Sequence, residues 1–232
     1  MVQVFNSRVL RISRMTSDVV AVRLYVPADF EFKAGQYLSL SVINSEGKKI
    51  RRPFSISNPP QKRNKFIEFC CKLVPGGLAS EYIRKLKADD EVELFGPAGR
   101  FLVRDYTKDI ALIASGVGIA PFMSMIPDVL SHNSKSKVIL IKSSRAEKDI
   151  LYEKELETLE KEHPNFRFYN VFSMPKNRNS NKGYVQDFLR YIPHDFNGDF
   201  YVCGLKEMII SVKEKLVSMG FKEEQIFYEK FD

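Results

Sequence analysis

The chain changes its hydrophobic rhythm near its midpoint, and this change limits the folds open to it. Up to about Arg104, apolar residues alternate with polar ones over short runs such as "VVAVRLYV" (19–26) and "GQYLSLSVI" (35–43). A period of two predicts half-buried strands, and turn residues separate these runs. Short strands at this spacing predict an antiparallel barrel, which one short helix interrupts near "LASEYIRKLK".

After Asp105, apolar strand-like runs alternate with helical patterns. The runs are "DIALIAS", "KVILIKSS", "FRFYNVF", "DFYVCG" and "QIFYEKF". The last helix, "KEMIISVKEKLVSMG", places Met208, Val212 and Leu216 on one stripe and ends at Gly220. This order predicts a doubly wound parallel sheet. We therefore predict two domains: an N-terminal antiparallel β-barrel with a short helix (1–104), and a C-terminal α/β doubly wound parallel sheet (105–232).

Composition excludes several classes of protein. No apolar run among the 232 residues approaches the length of a membrane span, and the N-terminus does not resemble a signal peptide, so we expect a cytoplasmic location and no membrane partner. The three cysteines match no zinc spacing and are too few for an iron–sulfur cluster. No metal site is predicted.

The chain is basic, with 36 Lys and Arg against 29 Asp and Glu, a formal net charge of +7. Nucleic acid is a possible partner of such a chain. However, the basic residues are interleaved with acids and no nucleic-acid motif is present, so no nucleic-acid partner is predicted. The surplus is either an ordinary solvated surface or a match for an acidic protein partner.

The segment "RRPFSISN" (51–58) is difficult to explain by packing. As a strand, it places Arg52, Phe54 and Ile56 on one side and Pro53 and Ser55 on the other. Pro53 also removes a ladder donor, which suits an edge, a bend or a bulge. A cation, an aromatic ring and a hydroxyl gathered at a strand end indicate a ligand site.

Two glycine-containing segments open helices. In "IASGVGIAP", Gly116 and Gly118 follow a strand, where backbone N–H groups and the helix dipole could meet a pyrophosphate; a simple tight turn explains them equally well. Pro127 is expected to kink this helix or end it early. In "VPGGLASEYI", the hydroxyl of Ser80 could donate to a phosphate or cap the helix itself.

The segment "YVCGLKEM" ends a predicted parallel strand. Its Cys203 and Gly204 lie where open α/β sheets bind ligands. A lone cysteine at such a position is more often a small buried apolar residue. Neither interpretation is excluded by the sequence.

Taken in order, these segments resemble one family. "RRPFSISN", "CCKLVPGGLAS", "GPAGRF", "GVGIAP", "YVCGLKEM" and the C-terminal "YEKF" are similar to the flavin-dependent ferredoxin–NADP reductase superfamily, over nearly the whole chain. The family includes ferredoxin reductases, reductase components of oxygenases and flavin reductases. The cofactors that the resemblance implies are FAD and NADPH or NADH.

The resemblance implies a flavin site in the first half. Arg52 would pair with a flavin phosphate, Phe54 would lie against the isoalloxazine ring, and Ser55 would hydrogen-bond near the reactive nitrogen. The family commonly has tyrosine at the Phe54 position. The further residues of this implied site are Pro53, Cys70, Cys71, Lys72, Gly77, Leu78, Ala79 and Ser80.

The resemblance implies a nucleotide site in the second half. Cys203 would lie beside the nicotinamide, Glu229 would be the C-terminal acid, and Phe231 would cover the flavin, although Asp232 extends the chain one residue further. Ser55, Cys203 and Glu229 are the implied catalytic residues. Ser173, Lys182 and Tyr184 resemble a set that holds a 2′-phosphate, which favours NADPH weakly. The other implied nucleotide-binding residues are Gly116, Val117, Gly118, Pro121, Ser144, Arg145, Gly204 and Leu205.

The function implied is hydride transfer from NAD(P)H to FAD. We expect the electrons to pass to a small acidic redox protein such as ferredoxin or flavodoxin. Reduction of free flavin, or service as the reductase component of an oxygenase, is the alternative within the family. From other classes, a binding module without turnover and a nucleic-acid binder remain to be distinguished.

Overall fold

The computed structural model describes residues 2–60, 65–132 and 135–231. They form two compact units. The first comprises the chain up to Leu102 together with Ala120–Met125. The second comprises Val103–Ile119 and the chain from Ile126 onward.

The first unit is built on a curled six-stranded antiparallel sheet with the order β4-β3-β6-β1-β2-β5. Its elements are β1 (Gln3–Arg14), β2 (Val19–Tyr25), β3 (Tyr37–Ile43), β4 (Lys49–Ser55), β5 (Phe66–Lys72), the helix α1 (Leu78–Lys85) and β6 (Glu91–Ala98). All of its strand pairs are antiparallel. The predicted antiparallel N-terminal fold with one short helix is confirmed.

The edge strands β4 and β5 approach each other without forming a ladder in the described part of the chain. Ser57, just after β4, donates its backbone N–H to the carbonyl oxygen of Glu68 in β5 at 2.7 Å. The backbone N–H of Glu68 in turn donates to Oδ1 of Asn58 at 2.7 Å. These bonds curl the sheet towards a barrel and fix the residues that follow the Arg52 segment.

The core of the first unit lies on the inner face of this sheet. Leu24, Leu38, Ile67, Phe69 and Leu94 are fully buried there. Each such side chain contributes roughly 1.5–3 kcal/mol by burial. The period-two pattern of the sequence is therefore the pattern of this core.

The second unit is built on a five-stranded parallel sheet with the order β11-β10-β7-β8-β9. Its elements are β7 (Asp109–Ser115), the part of α2 (Ala120–His132) from Ile126 onward, β8 (Val138–Ser144), α3 (Glu153–Glu162), β9 (Phe166–Phe172), β10 (Gly198–Gly204), α4 (Lys206–Ser218) and β11 (Ile226–Lys230). The chain leaves β7 towards β8 and β9, then returns to add β10 and β11 on the other side. The strand order therefore reverses between β7 and β10, and the predicted doubly wound sheet is confirmed.

Of the two outcomes expected at Pro127, a kink or an early end of the helix, the early end does not occur. The helix α2 continues through Pro127 to His132. Proline removes one helical hydrogen bond, which costs about 3 kcal/mol in a helix interior. Phe122, Ile126 and Val129 are buried on both sides of it, and this burial offsets the cost. Gly220, by contrast, lies just past α4 with φ +95°, as a C′ glycine should.

The helices of the described part of the chain do not have the length and apolarity of a membrane span. The α-helices are 8 to 13 residues long, against about 20 for a membrane crossing. The cytoplasmic location expected from the sequence stays a prediction.

Candidate functional site

Arg52 lies on β4 with its side chain on the face that carries the core. The register pairs Arg52 with Leu40 and Phe54 with Leu38, both buried. Paired residues of an antiparallel ladder share a face. Arg52 is nevertheless exposed; its guanidinium donates only to the carbonyl of Arg51, at 3.3 Å, and no carboxylate in the described residues pairs with it. Such a guanidinium suits a phosphate.

Phe54 has one ring face occupied by the protein. It stacks on Phe69 with the ring centroids 4.5 Å apart and the planes at 21°. Phe54 is only half-buried, so part of its ring surface is accessible. The two residues beside Phe54 in the chain differ in burial. Pro53 is exposed at the sheet edge, whereas Ser55 is buried and pairs with Tyr37. Pro53 thus lies on an edge strand, one of the three settings that the sequence allows for it, and the flavin contacts of all three residues stay predictions.

The start of α1 is open to an anion. Gly77 is the N-cap residue and supplies no side-chain cap. The N–H groups of Leu78, Ala79 and Ser80 belong to the first helical turn, which has no intrahelical acceptors. Ser80 does not cap this helix; its Oγ instead accepts a hydrogen bond from the N–H of Val74 at 2.9 Å. In the described part of the chain the Ser80 hydroxyl accepts this bond and donates to no acceptor, and its contact with a phosphate stays a prediction.

The predicted residues of β5 divide between core and surface. Cys71 is part of the core, and burial raises the pKa of its thiol to about 11. It is therefore neutral and unreactive at ordinary pH. Cys70 is also buried. Lys72 is exposed and forms an ion pair with Asp18 at 3.6 Å. Exposed pairs contribute only about 0–1 kcal/mol, so a nucleotide phosphate could compete for this lysine.

In the second unit, glycines line the point where the strand order reverses. A Cβ on Gly118 would lie 2.3 Å from the carbonyl oxygen of Cys203, and a Cβ on Gly204 would lie 2.3 Å from Oγ of Ser115. At Gly118 the obstacle is the backbone of β10, so only glycine permits this approach; at Gly204 the obstacle is a side chain, and the φ of +153° is what favours glycine. Gly116 differs, since its φ is +52° and a Cβ there would face open space. The crevice beyond such strand ends is where open α/β sheets bind ligands.

Two further predicted residues follow Gly116 in the chain. Val117 lies in the 3₁₀ turn Gly116–Ile119, which leads directly into α2. Pro121 lies in the first turn of α2, where a missing N–H costs no helical hydrogen bond. Both stand at the start of the helix, as a pyrophosphate-binding turn requires, and their contacts with a nucleotide stay predictions.

The C-terminal strand lies beside Cys203 and Gly204. Cys203 pairs in register with Glu229 of β11. The backbone N–H of Phe231 donates to the carbonyl oxygen of Gly204 at 2.9 Å. Leu205, which follows, is 59 % exposed, whereas Cys203 has no exposed surface. The structure thus brings these five predicted residues together, while Asp232 lies outside the described residues.

The ends of β8 and β9 bring together a second predicted set. The N–H of Ser173 donates to the carbonyl of Ser144 at 3.2 Å, and the N–H of Met174 donates to that of Arg145 at 2.8 Å. Lys182 forms an isolated bridge with Phe172 at the end of β9. Tyr184, two residues later, is 62 % exposed. Ser144 and Phe172 are the last residues of β8 and β9, so this set lies around the carboxyl ends of those strands, and its contacts with a nucleotide stay predictions.

The sequence did not reveal Glu147, which organises the neighbouring loop. Its carboxylate accepts hydrogen bonds from the N–H of Lys176 at 3.0 Å, the N–H of Asn177 at 3.1 Å and Oγ of Ser180 at 2.8 Å. These bonds, the one from Lys176 first, lower the pKa of Glu147 to about 2. The only signal in the sequence is an acid shortly after "KSSR", which is too general to predict a contact 29 residues away.

Two family models match the chain in sequence order. The oxidoreductase FAD-binding domain matches residues 6–103 and the oxidoreductase NAD-binding domain matches residues 112–214. The chain belongs to the ferredoxin–NADP reductase superfamily. It is a flavoprotein oxidoreductase of the FAD- and NAD-binding class, and the resemblance seen in its motifs is confirmed.

Two of the proteins that it resembles in sequence are named as reductase or electron-transfer components. It is 33% identical over 228 residues to the reductase component DmpP of phenol 2-monooxygenase from Pseudomonas sp. (strain CF600), covering 94% of this chain and 62% of that protein. It is 27% identical to the toluate 1,2-dioxygenase electron transfer component of Pseudomonas putida, covering 98% and 67%. The chain thus spans about two thirds of the length of these relatives.

Solved structures of this superfamily share the fold. The cytochrome P450 reductase GcoB of Amycolatopsis matches with a TM-score of 0.90 and 26% identity, over 99% of this chain and 70% of that one. A ferredoxin NADP⁺ reductase from Neisseria gonorrhoeae, solved with FAD and NADP, matches with a TM-score of 0.84 and 22% identity, over 98% of both chains. At the latter identity the match shows the fold alone.

Proposed function

We propose that this member of the superfamily transfers a hydride from NAD(P)H to FAD and passes the electrons to an acidic electron-transfer protein of the ferredoxin or flavodoxin type. The first half of this proposal rests on two glycine turns that lead into helices. Gly77 precedes α1 in the unit matched by the FAD-binding model, and Gly116 and Gly118 precede α2 in the unit matched by the NAD-binding model. The acceptor rests on the distribution of charge.

The residues of the first unit fit FAD. When bound, FAD supplies the hydride acceptor and can release electrons singly or in pairs. The guanidinium of Arg52 and the N–H groups at the start of α1 would hold its phosphates. The accessible surface of Phe54 would orient the ring, and Ser55 would hydrogen-bond near its reactive nitrogen. The backbone that carries these groups is regular, since they lie on β4 and at the start of α1.

The residues of the second unit fit a nicotinamide nucleotide. The turn Gly116–Val117–Gly118 would hold the pyrophosphate, because its N–H groups lie at the start of a helix. Cys203 and Gly204 would border the nicotinamide, with Glu229 beside them. Hydride transfer needs no general base, so the buried thiol of Cys203 would act by shaping the pocket and excluding water.

The net positive charge of the chain belongs to the first unit. Counted on the sequence, the residues of the first unit include 17 Lys and Arg against 10 Asp and Glu, whereas the second unit has 19 of each. The entire surplus of +7 therefore belongs to the FAD-binding unit. Opposite charge steers association and raises encounter rates by about 10-fold or more at low salt. An acidic partner would thus be drawn to the unit that holds the flavin.

A second acceptor is favoured by the relatives. Two are named as reductase components, one of phenol 2-monooxygenase and one of propane 2-monooxygenase. An oxygenase component is therefore the alternative protein acceptor. Free flavin is a third, for which charge would give little advantage because free flavin lacks an extended acidic surface.

The test is turnover with each acceptor across an ionic-strength series. Purified enzyme would be assayed with ferredoxin, flavodoxin, and free FMN or riboflavin. We expect rates with the acidic proteins to be the highest and to fall as salt rises, because screening shortens the range of attraction. Efficient, salt-independent reduction of free flavin with negligible activity towards either protein would contradict the proposed acceptor and leave a flavin reductase.

A further inference from the structure

Glu147 lies where the second strand of the nucleotide-binding unit ends. It follows Arg145 by two residues, beyond the carboxyl end of β8. Its two carboxylate oxygens accept from Lys176 N–H, Asn177 N–H and the Ser180 hydroxyl. We refer to residues 176–180 as the latch loop. The latch loop therefore presents its donors to a carboxylate of the protein itself.

The adenosine half of a bound nucleotide would extend towards this loop. In doubly wound sheets the pyrophosphate sits at the turn after the first strand, and the residue beyond the second strand faces the adenosine ribose. Here the first strand is β7, with its turn at Gly116–Gly118, and the second is β8. This placement rests on the proposed function, because it assumes that the nucleotide binds at this crevice.

We propose that Glu147 is a positioning residue that biases this enzyme against a 2′-phosphorylated nucleotide. A 2′-phosphate at this edge would seek the same kind of donors as the Glu147 carboxylate, namely successive backbone N–H groups and a hydroxyl. Those of Lys176, Asn177 and Ser180 are already engaged. Glu147 therefore withdraws donors from the phosphate and adds a negative charge beside it.

Positively charged side chains that would attract a 2′-phosphate are also present, but they are exposed to solvent. Lys176 and Arg178 are exposed on the latch loop, and Arg145 is exposed at the end of β8. Exposed cations attract a phosphate through water, and salt screens that attraction. Hydrogen bonds from fixed N–H groups to an anion are stronger than such contacts. The hydrogen bonds between Glu147 and the latch loop therefore shift the preference towards NADH. The sequence had instead favoured NADPH weakly, from Ser173, Lys182 and Tyr184.

The experiment compares Glu147→Gln with the wild type in two independent measurements. One is kcat/KM for NADH and NADPH with ferricyanide as acceptor, and the other is the Kd of NAD⁺ and NADP⁺ by calorimetry. We expect the NADPH-to-NADH ratio of kcat/KM to rise about 10-fold or more, mostly through KM, and the ratio of affinities to rise in parallel. Glu147→Asp, which keeps the charge, should retain the wild-type ratios.

Glu155→Gln is the matched control, because it removes one exposed acid of α3 in the same unit. It should leave both ratios unchanged. If Glu147→Gln does not fold, Ser180→Ala removes one bond of the latch and should shift the ratios the same way by a smaller factor. Equal weakening of both nucleotides, or ratios that do not move, would overturn the proposal. If neither nucleotide reduces the flavin, the proposed function fails, while the calorimetric ratio still decides the role of Glu147.

Discussion

At the scale of single residues, the two adjacent arginines of β4 have different environments. Arg52 points to the face of β4 that carries the core, and no carboxylate among the described residues pairs with it. Arg51 lies on the outer face, with its guanidinium 4.1 Å from the ring centroid of Phe95. The same side chain thus occurs on both faces of one strand. This allows the flavin role of Arg52 to be separated from a general effect of charge.

Arg52→Ala should weaken FAD binding by about 1.5–3 kcal/mol, the scale of a charge-assisted hydrogen bond that is lost. Arg51→Ala removes the same charge and should leave FAD affinity within about twofold, because its partner is an aromatic ring of the protein. Titration of FAD into flavin-free protein measures both. Equal losses in the two variants would mean that only the overall charge matters.

At the scale of elements, the junction of β7 and β10 depends on close backbone approach. Gly118→Ala would bring a Cβ to 2.3 Å from the Cys203 carbonyl oxygen, so the turn must shift. We expect NADH affinity to fall about 10-fold or more while FAD content stays normal, because distortion of a positioning turn is costly for binding. Gly220→Ala is the control, as it strains a glycine at φ +95° in the same unit with open space around it. NADH affinity equally reduced in both variants would indicate general destabilisation.

A second element-scale prediction concerns Lys142, a buried residue of β8. Its Nζ donates to the carbonyl of Leu151 at 3.2 Å, and burial lowers its pKa to about 8 from 10.5. Between about pH 8 and pH 10.5, Lys142 binds a proton in the unfolded chain but not in the folded chain. The free energy of unfolding should therefore rise with pH across this window, by about 3 kcal/mol.

Lys142→Met should lack this rise. The measurement is the difference in the free energy of unfolding between this variant and the wild type, from pH 7 to 10.5. The difference is needed because Cys71, whose pKa is raised to about 11, acts in the opposite direction above pH 9. The methionine variant should be the more stable at pH 7, and its advantage should shrink as pH rises. A difference that is constant with pH would show that Lys142 is solvated when charged.

The sequence predicts the elements better than it predicts their contacts. Period-two and helical patterns identify strands and helices because burial acts on residues two to four apart. The continuation of α2 through Pro127 was not predictable, since it depends on how well the flanking residues are buried. The contacts of Glu147 with residues 176–180 and of Gly118 with Cys203 join distant parts of the chain. Composition and spacing contain no information on them, whereas the resemblance to a family supplied most of the residues proposed for the candidate site.

At the scale of the whole molecule, the two units differ in charge as well as in fold. The unit matched by the FAD-binding model holds the entire positive surplus, and the unit matched by the NAD-binding model is neutral in sum. A protein acceptor that is steered by charge would therefore approach one unit, while the nucleotide binds the other.

The most direct measurement is anaerobic rapid mixing of the FAD-loaded protein with NADH and, separately, NADPH, while the absorbance of the oxidised flavin is followed. We expect the flavin to be bleached in a single turnover by at least one nucleotide, at a rate that saturates with nucleotide concentration. Transfer of the hydride also predicts a slower rate with nucleotide deuterated at the transferred position. Flavin that stays oxidised while calorimetry shows both cofactors bound would contradict the assignment of this chain as an NAD(P)H-dependent reductase.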